Sequence, residues 1–323
     1  MLRGTAIALI ALAAAATAAT AATAAAGTGH WSQQGYNMNV STANDEVRSC
    51  SDITVRWNDR DAARAEERFT APAGRDGLTT SLPRNAGAWF RSAARNDWSV
   101  LACKAARSPD LLPQISASVG RSGELQAQGP AGDDWTVFFV VEGPASGSLK
   151  ADSANGPLHF QGFSGKITAS VQNGPVSFRD CSASIEARAQ NGPISLVGTT
   201  GDVDARADNG PISVSGDSGN LRLKTSNGPI SVRLSGSSWR DGKLEGHAVN
   251  GPVTLHIPDG YRSATLVESN GHSPLHCRAS ACDSARKSWD DDSRRIEFGS
   301  GTPVVTLSTV NGPVSIDSQM RAD

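Results

Sequence analysis

Aromatic residues make up only 5% of this 323-residue chain, tyrosine occurs twice and methionine three times. That scarcity excludes an ordinary aromatic-centred core and an aromatic platform for sugars or bases. A surplus of either charge is also missing, since 30 Lys+Arg stand against 32 Asp+Glu for a net −2. Phosphate-backbone binding needs a basic excess on one face, so nucleic acid is not the expected partner. Beyond residue 26 no apolar run approaches the ~20 residues of a membrane span. What the chain does have is glycine, 33 residues of it, with 16 prolines. Such a composition suits a chain that turns often and packs small aliphatic side chains.

Residues 1–26 read as a secretory signal peptide. Arg3 precedes the apolar stretch from Ala6 to Ala16, and an Ala/Thr run ends in Ala24-Ala25-Ala26, a small-residue cleavage pattern. The expected product is exported, to the periplasm or the cell exterior. Five cysteines in an exported chain are read first as disulfides. Cys50 with Cys103 and Cys277 with Cys282 are the expected pairs, leaving Cys181 over. A metal site at the second pair would recruit His272 and His276, but Pro274 between them opposes the helix that would align the imidazoles.

The dominant feature is an internal repeat. Asn-Gly-Pro occurs at a constant spacing, at Asn155-Gly156-Pro157, Asn173-Gly174-Pro175, Asn191-Gly192-Pro193, Asn209-Gly210-Pro211 and Asn227-Gly228-Pro229. It recurs at Asn250-Gly251-Pro252 and at Asn311-Gly312-Pro313, with Asn270-Gly271-His272 a degraded copy between them. Aligned units show apolar columns, Leu149/Ile167/Ile185/Val203/Leu221 before the turn and Leu158/Val176/Ile194/Ile212/Ile230 after it. Polar residues alternate with them, so each unit reads as two short strands. Asn and Gly are expected to reverse the chain through positive φ, and Pro to open the next strand. A second glycine column, Gly147, Gly165, Gly201, Gly219 and Gly242, marks the other turn, with Ala183 the exception.

One unit carries too little apolar surface to offset the entropy of ordering its own chain, so the units must stack. Asn residues in register can then hydrogen-bond as a ladder. The expected fold is all-β, a single-chain β-solenoid of ~18-residue two-strand rungs. Residues 146–319 form that repeat, with an insertion at about 276–298, and 27–145 form an irregular β cap. Strands are expected at Ile53–Trp57, Glu67–Thr70, Trp98–Ala102 and Trp135–Val141, with a charged helix over Asp59–Glu67 as an alternative. Asn85-Ala86-Gly87 looks like an eroded copy of the same turn.

Function would be written on the outward columns. One strand displays Lys150, Thr168, Glu186, Asp204 and Arg222 beside Asp152, Ser170, Arg188, Arg206 and Lys224. The other displays His159, Ser177, Ser195, Ser213, Ser231 and Thr254. The adjacent acids Glu186 and Asp204 are the best pair for a polysaccharide-cleaving site, although rungs of uniform length offer no cleft. Asp290-Asp291-Asp292 lacks the glycine-spaced ligand loop of a calcium site, and Arg294-Arg295 can neutralise it. Gly162-Phe163-Ser164-Gly165 and Gly216-Asp217-Ser218-Gly219 are turns of the repeat rather than nucleophile elbows.

Three passages carry a resemblance: the Asn-Gly turns over 147–257, the stretch Gly77–Ala105, and the ending from Gly299-Ser300-Gly301-Thr302-Pro303 to Val314-Ser315-Ile316. With them the chain resembles the bacterial β-strand-repeat proteins grouped as "putative adhesins", a family without an assigned activity. Pro after Asn-Gly is a departure, since members often place an acid there. The resemblance implies attachment at a surface and carries no catalytic residues. The expected function is therefore an exported, non-enzymatic, adhesin-like binding or structural module of the cell envelope, with an unidentified surface ligand and no cofactor or metal. The alternatives are a carbohydrate-active enzyme near Glu186 and Asp204, and a scaffold whose end rungs pair edge to edge.

Overall fold

A computed structural model describes residues 32–34, 38–42, 46–72, 77–82, 86–120, 123–270, 273–290 and 292–319. The signal peptide expected at 1–26, and also Asn85, Gly271, His272 and Asp291, lie outside the described residues. The chain is almost wholly β, in three sheets of four, thirteen and twelve strands among the described residues.

The two large sheets are built from the repeat. The strand before each turn, such as Ser184–Asn191, joins the thirteen-stranded sheet; the strand after it, such as Ile194–Val197, joins the twelve-stranded one. Each strand pairs in parallel with its equivalent in the next unit, Ile167 with Ile185 and Val176 with Ile194. Because side chains alternate across a strand, this register sends one apolar set inward from both sheets. The inward alanines Ala151, Ala169, Ala187 and Ala205 share one buried core with Phe160 and Phe178 of the other sheet. Phe90, Phe160 and Phe178 stack as a column, with centroids 4.9 and 5.1 Å apart.

The turn works differently from the sequence expectation. Among the described residues none of the repeat asparagines has positive φ, and of the repeat's Asn-Gly glycines only Gly174 does, at 150°. The glycines answer instead to close stacking. A Cβ on Gly192 would lie 2.0 Å from the carbonyl oxygen of Gly174, and one on Gly210 would lie 2.1 Å from that of Gly192. The asparagines form the ladder: each Nδ2 donates to Oδ1 of the preceding Asn, through six bonds of 2.8–3.0 Å from Asn311 to Asn155. Positive φ belongs to the opposite corner, at Gly201, Gly219 and Gly242.

Both sheets continue upstream of residue 146. Leu78–Ser81 pairs with Leu149–Asn155, and Ala88–Ser92 with Leu158–Gln161, both in parallel. Ala86 thus stands where later rungs have glycine, and a Cβ on Gly156 of the next rung would lie 1.9 Å from its carbonyl oxygen. Glu124–Gln128 and Trp135–Gly143 still add to this rung in parallel; beyond them the pairing turns antiparallel, with Trp135–Gly143, Asp97–Ala106 and Ala63–Pro72 side by side. Asp59–Glu67 is accordingly not helical, because its alternating exposure matches a strand. The four-stranded sheet, Ser32–Gln34, Met38–Thr42, Ile53–Trp57 and Arg60–Asp61, contributes to a second core with Trp89, Leu101 and Phe138. The disulfide between Cys50 and Cys103 ties this layer to the twelve-stranded sheet.

At the other end spatial order departs from chain order. Ser300–Asn311 lies between Leu244–Asn250 and Ser263–Ser269 in one sheet. Val314–Ser318 lies between Val253–Ile257 and Leu275–Cys277 in the other. The last rung is therefore inserted between two rungs made earlier in the chain. Antiparallel Arg294–Phe298 and Arg286–Trp289 finish the thirteen-stranded sheet.

Candidate functional site

The thirteen-stranded sheet turns three columns outward. Glu186 stands opposite Asp204 in register, as the repeat requires, but each carboxylate is held by an arginine on its own strand. Arg188 Nη2 lies 2.6 Å from Glu186 Oε1, and Arg206 donates from Nε and Nη2 to both oxygens of Asp204 at 2.9 and 2.8 Å. That hydrogen bond to Asp204 raises the Arg206 pKa further. Two carboxylates fixed in ion pairs are poorly placed to share a proton-transfer task.

Beside these pairs runs a groove of about 620 Å³, bordered by five successive strands of the thirteen-stranded sheet, from Leu78–Ser81 to Asp202–Asn209. Its floor is the backbone of the paired strands, since Leu82, Val171 and Ala189 turn their side chains into the core. Its walls are Asp152, Ser170, Gln172, Arg188, Gln190, Arg206 and Asp208. The two guanidinium groups are oriented by Glu186 and Asp204, whereas Gln172 and Gln190 stand exposed with their amides directed to no protein partner among the described residues. Sequence reasoning named the arginine column but missed the glutamines, which occupy only two of the rungs.

A smaller cleft of about 380 Å³ lies between the four-stranded and twelve-stranded sheets. The Cys50–Cys103 disulfide, Ile53, Val55 and Phe138 form its apolar part, with Arg64, Glu66 and Lys104 at its polar side. Lys104 is paired with Glu67. On the outer face of the twelve-stranded sheet the hydroxyl column is in register, and His159 Nδ1 lies 2.6 Å from Ser177 Oγ. Farther along, burial and the nearby Arg233 lower the pKa of His256, with Asp317 opposing them.

The remaining candidates fall apart spatially or chemically. Cys277 and Cys282 form a disulfide, as expected, so their sulfurs are not metal ligands. Among the described residues Arg295 pairs with Glu297, and Arg294 donates to the Ser273 carbonyl. Ser218 bonds Asp217, which also holds Arg240, and Ser164 donates to the Ala145 carbonyl. Cys181 is 1% exposed, and burial raises its thiol pKa. Among the described residues no cluster of three or more His, Cys, Asp or Glu could hold a metal ion, and no helix is long and apolar enough to cross a membrane.

No protein-family model matches the chain, and no curated protein matches it. Solved structures do. A "putative cell adhesion protein" from Clostridium sporogenes is similar at 12% identity over 80% of this chain and 100% of its own, with a TM-score of 0.24. "Putative adhesins" from Parabacteroides distasonis and Parabacteroides merdae are 11% and 8% identical, each over 80% of this chain. They are covered over 97% and 96% of their lengths, at TM-scores of 0.34 and 0.25. Likeness at that level adds nothing to the reading of the site, which rests on this chain's own geometry.

Proposed function

We propose that the protein is an exported, non-enzymatic β-solenoid acting as an adhesin-like binding or structural module of the bacterial cell envelope. In this reading 1–26 is removed on export, 27–145 is the β cap and 146–319 is the solenoid proper, carrying its insertion at about 276–298. The observation that carries the proposal is the outward face of the thirteen-stranded sheet, where side chains repeat in register on successive parallel strands. A face built this way is stiff, because every strand within it is bonded on both sides. It can therefore offer many weak contacts at once without a large ordering cost. Two disulfides suit an oxidising compartment.

The ion pairing of Glu186 and Asp204 favours recognition over hydrolysis. Mature protein incubated with cell-wall fractions, outer-membrane vesicles and host-matrix proteins is expected to co-sediment with at least one. Failure to bind any of them removes the adhesion claim. Reducing-sugar release from a polysaccharide panel, abolished by Glu186→Gln, would replace it with an enzyme.

A further inference from the structure

The groove beside the asparagine ladder suggests the chemistry of the surface ligand. We propose that it is a binding track for an extended, uncharged, hydroxyl-rich polymer, a neutral glycan chain lying along the stack. The inference rests on the surface-binding reading above and names the ligand class for it.

Length and direction come first. Five strands at about 4.8 Å spacing give a track of roughly 19 Å, enough for a short run of sugar rings. The track crosses the strands, so a ligand in it meets the same wall position once per rung.

Its chemistry matches hydroxyl groups. Each hydroxyl both donates and accepts, and the walls offer both functions side by side. Gln172 and Gln190 present free amides, Ser170 a hydroxyl, and Asp152 and Asp208 acceptors. Arg188 and Arg206 are already held by carboxylates, so little further ordering is needed to use their remaining N–H groups. Recognition here would proceed by hydrogen bonds, in keeping with a chain poor in aromatic residues.

Charge and backbone decide against the other polymers. Asp152 and Asp208 balance Arg188 and Arg206 along the walls, and both guanidinium groups are already held by Glu186 and Asp204, so the lining offers a polyanion no free positive charge. An extended peptide would need free strand-edge N–H and C=O groups, and the strands under the groove are paired on both sides.

The test titrates mature protein with neutral tetrasaccharides (cellotetraose, maltotetraose, laminaritetraose and chitin tetramer) and with an alginate tetramer, by calorimetry and amide NMR. At least one neutral tetramer is expected to bind, with an affinity unchanged between low and high salt. Gln172→Ala/Gln190→Ala should weaken it roughly tenfold, the loss of one to two hydrogen bonds, without moving the urea midpoint. Ser195→Ala/Ser213→Ala, on the opposite sheet, should leave it unchanged. Binding of the alginate tetramer alone, absence of binding to every neutral tetramer, or full affinity in the glutamine variant overturns the proposal. The same glutamine variant assayed on envelope fractions separates the two claims. If it binds them like the native protein, the groove is wrong and the surface reading stands; if the native protein binds no fraction, the surface reading itself falls.

Discussion

Gly192→Ala tests what holds the rungs together. The added Cβ would sit 2.0 Å from the carbonyl oxygen of Gly174 and 2.7 Å from its carbonyl carbon. Ordinary contact begins near 3.4 Å, so the two rungs must part by more than an ångström at this corner. Three bonds cross that gap: Gly174 N–H to the Asn191 carbonyl at 3.1 Å, Val176 N–H to the Pro193 carbonyl at 2.9 Å, and Asn191 Nδ2 to Asn173 Oδ1 at 2.9 Å. Stretched by that amount, all three leave hydrogen-bonding range. At about 1 kcal/mol each the expected loss is about 3 kcal/mol. Urea midpoints at constant slope measure it. Gly216→Ala is the control, since a Cβ there meets nothing within 4 Å and its φ is not positive. That change should be neutral or stabilising by about 0.4–1 kcal/mol. A cost for Gly192→Ala below about 1 kcal/mol, the worth of a single hydrogen bond, or equal effects at the two sites, refutes the close-stacking argument.

Three further outcomes follow from the structure. Cys181 should resist thiol reagents in the native protein and react fully once urea unfolds it, because burial both shields the sulfur and raises its pKa. His256 has a folded pKa below its unfolded value, so the unfolded chain binds the proton more readily. Stability should be fully present above the unfolded histidine pKa and should fall as pH drops through the window below it, a slope that His256→Gln removes. Deleting 299–323 should strip hydrogen-exchange protection from Ser263–Ser269 and Leu275–Cys277, whose parallel partners are Ser300–Asn311 and Val314–Ser318; unchanged protection would mean those strands hold to the stack by other contacts.

The parts of the fold that the sequence made legible are those set by short-range rules. A constant period with alternating polarity places Ile185 on Ile167 and Ser195 on Ser177, and the structure pairs them so. The strand expected at Ile53–Trp57 is present with those bounds, and both disulfides form as expected. Long-range placement was not legible. Nothing between Asn270 and Asn311 announces that the later turn stacks on Asn250 rather than on Asn270. Nor does the chain's first part announce a separate sheet over Trp89 and Phe138, because Met38, Val40 and Val55 would alternate identically in any half-buried strand. For the glycines the recurring triplet suggested turn conformation, whereas the reason is a neighbour one repeat away in sequence and one strand away in space. At the candidate site the ion pairs of Glu186 and Asp204 were legible in their i, i+2 spacing to Arg188 and Arg206. The groove was not, since its depth depends on how Leu82 and the rungs beyond it meet.

The displaced order of the final rung has a consequence for biogenesis. A chain that emerges from its N-terminus onward presents residues 300–318 after everything they must fit between, so the strands of 263–277 cannot take their final neighbours until those residues arrive. A chain that has emerged only as far as the Asn250 turn can finish its stack up to that point and then has to wait. Arrival of the last segment is what lets the preceding one settle, which makes the far end of the molecule a check that synthesis ran through to residue 318.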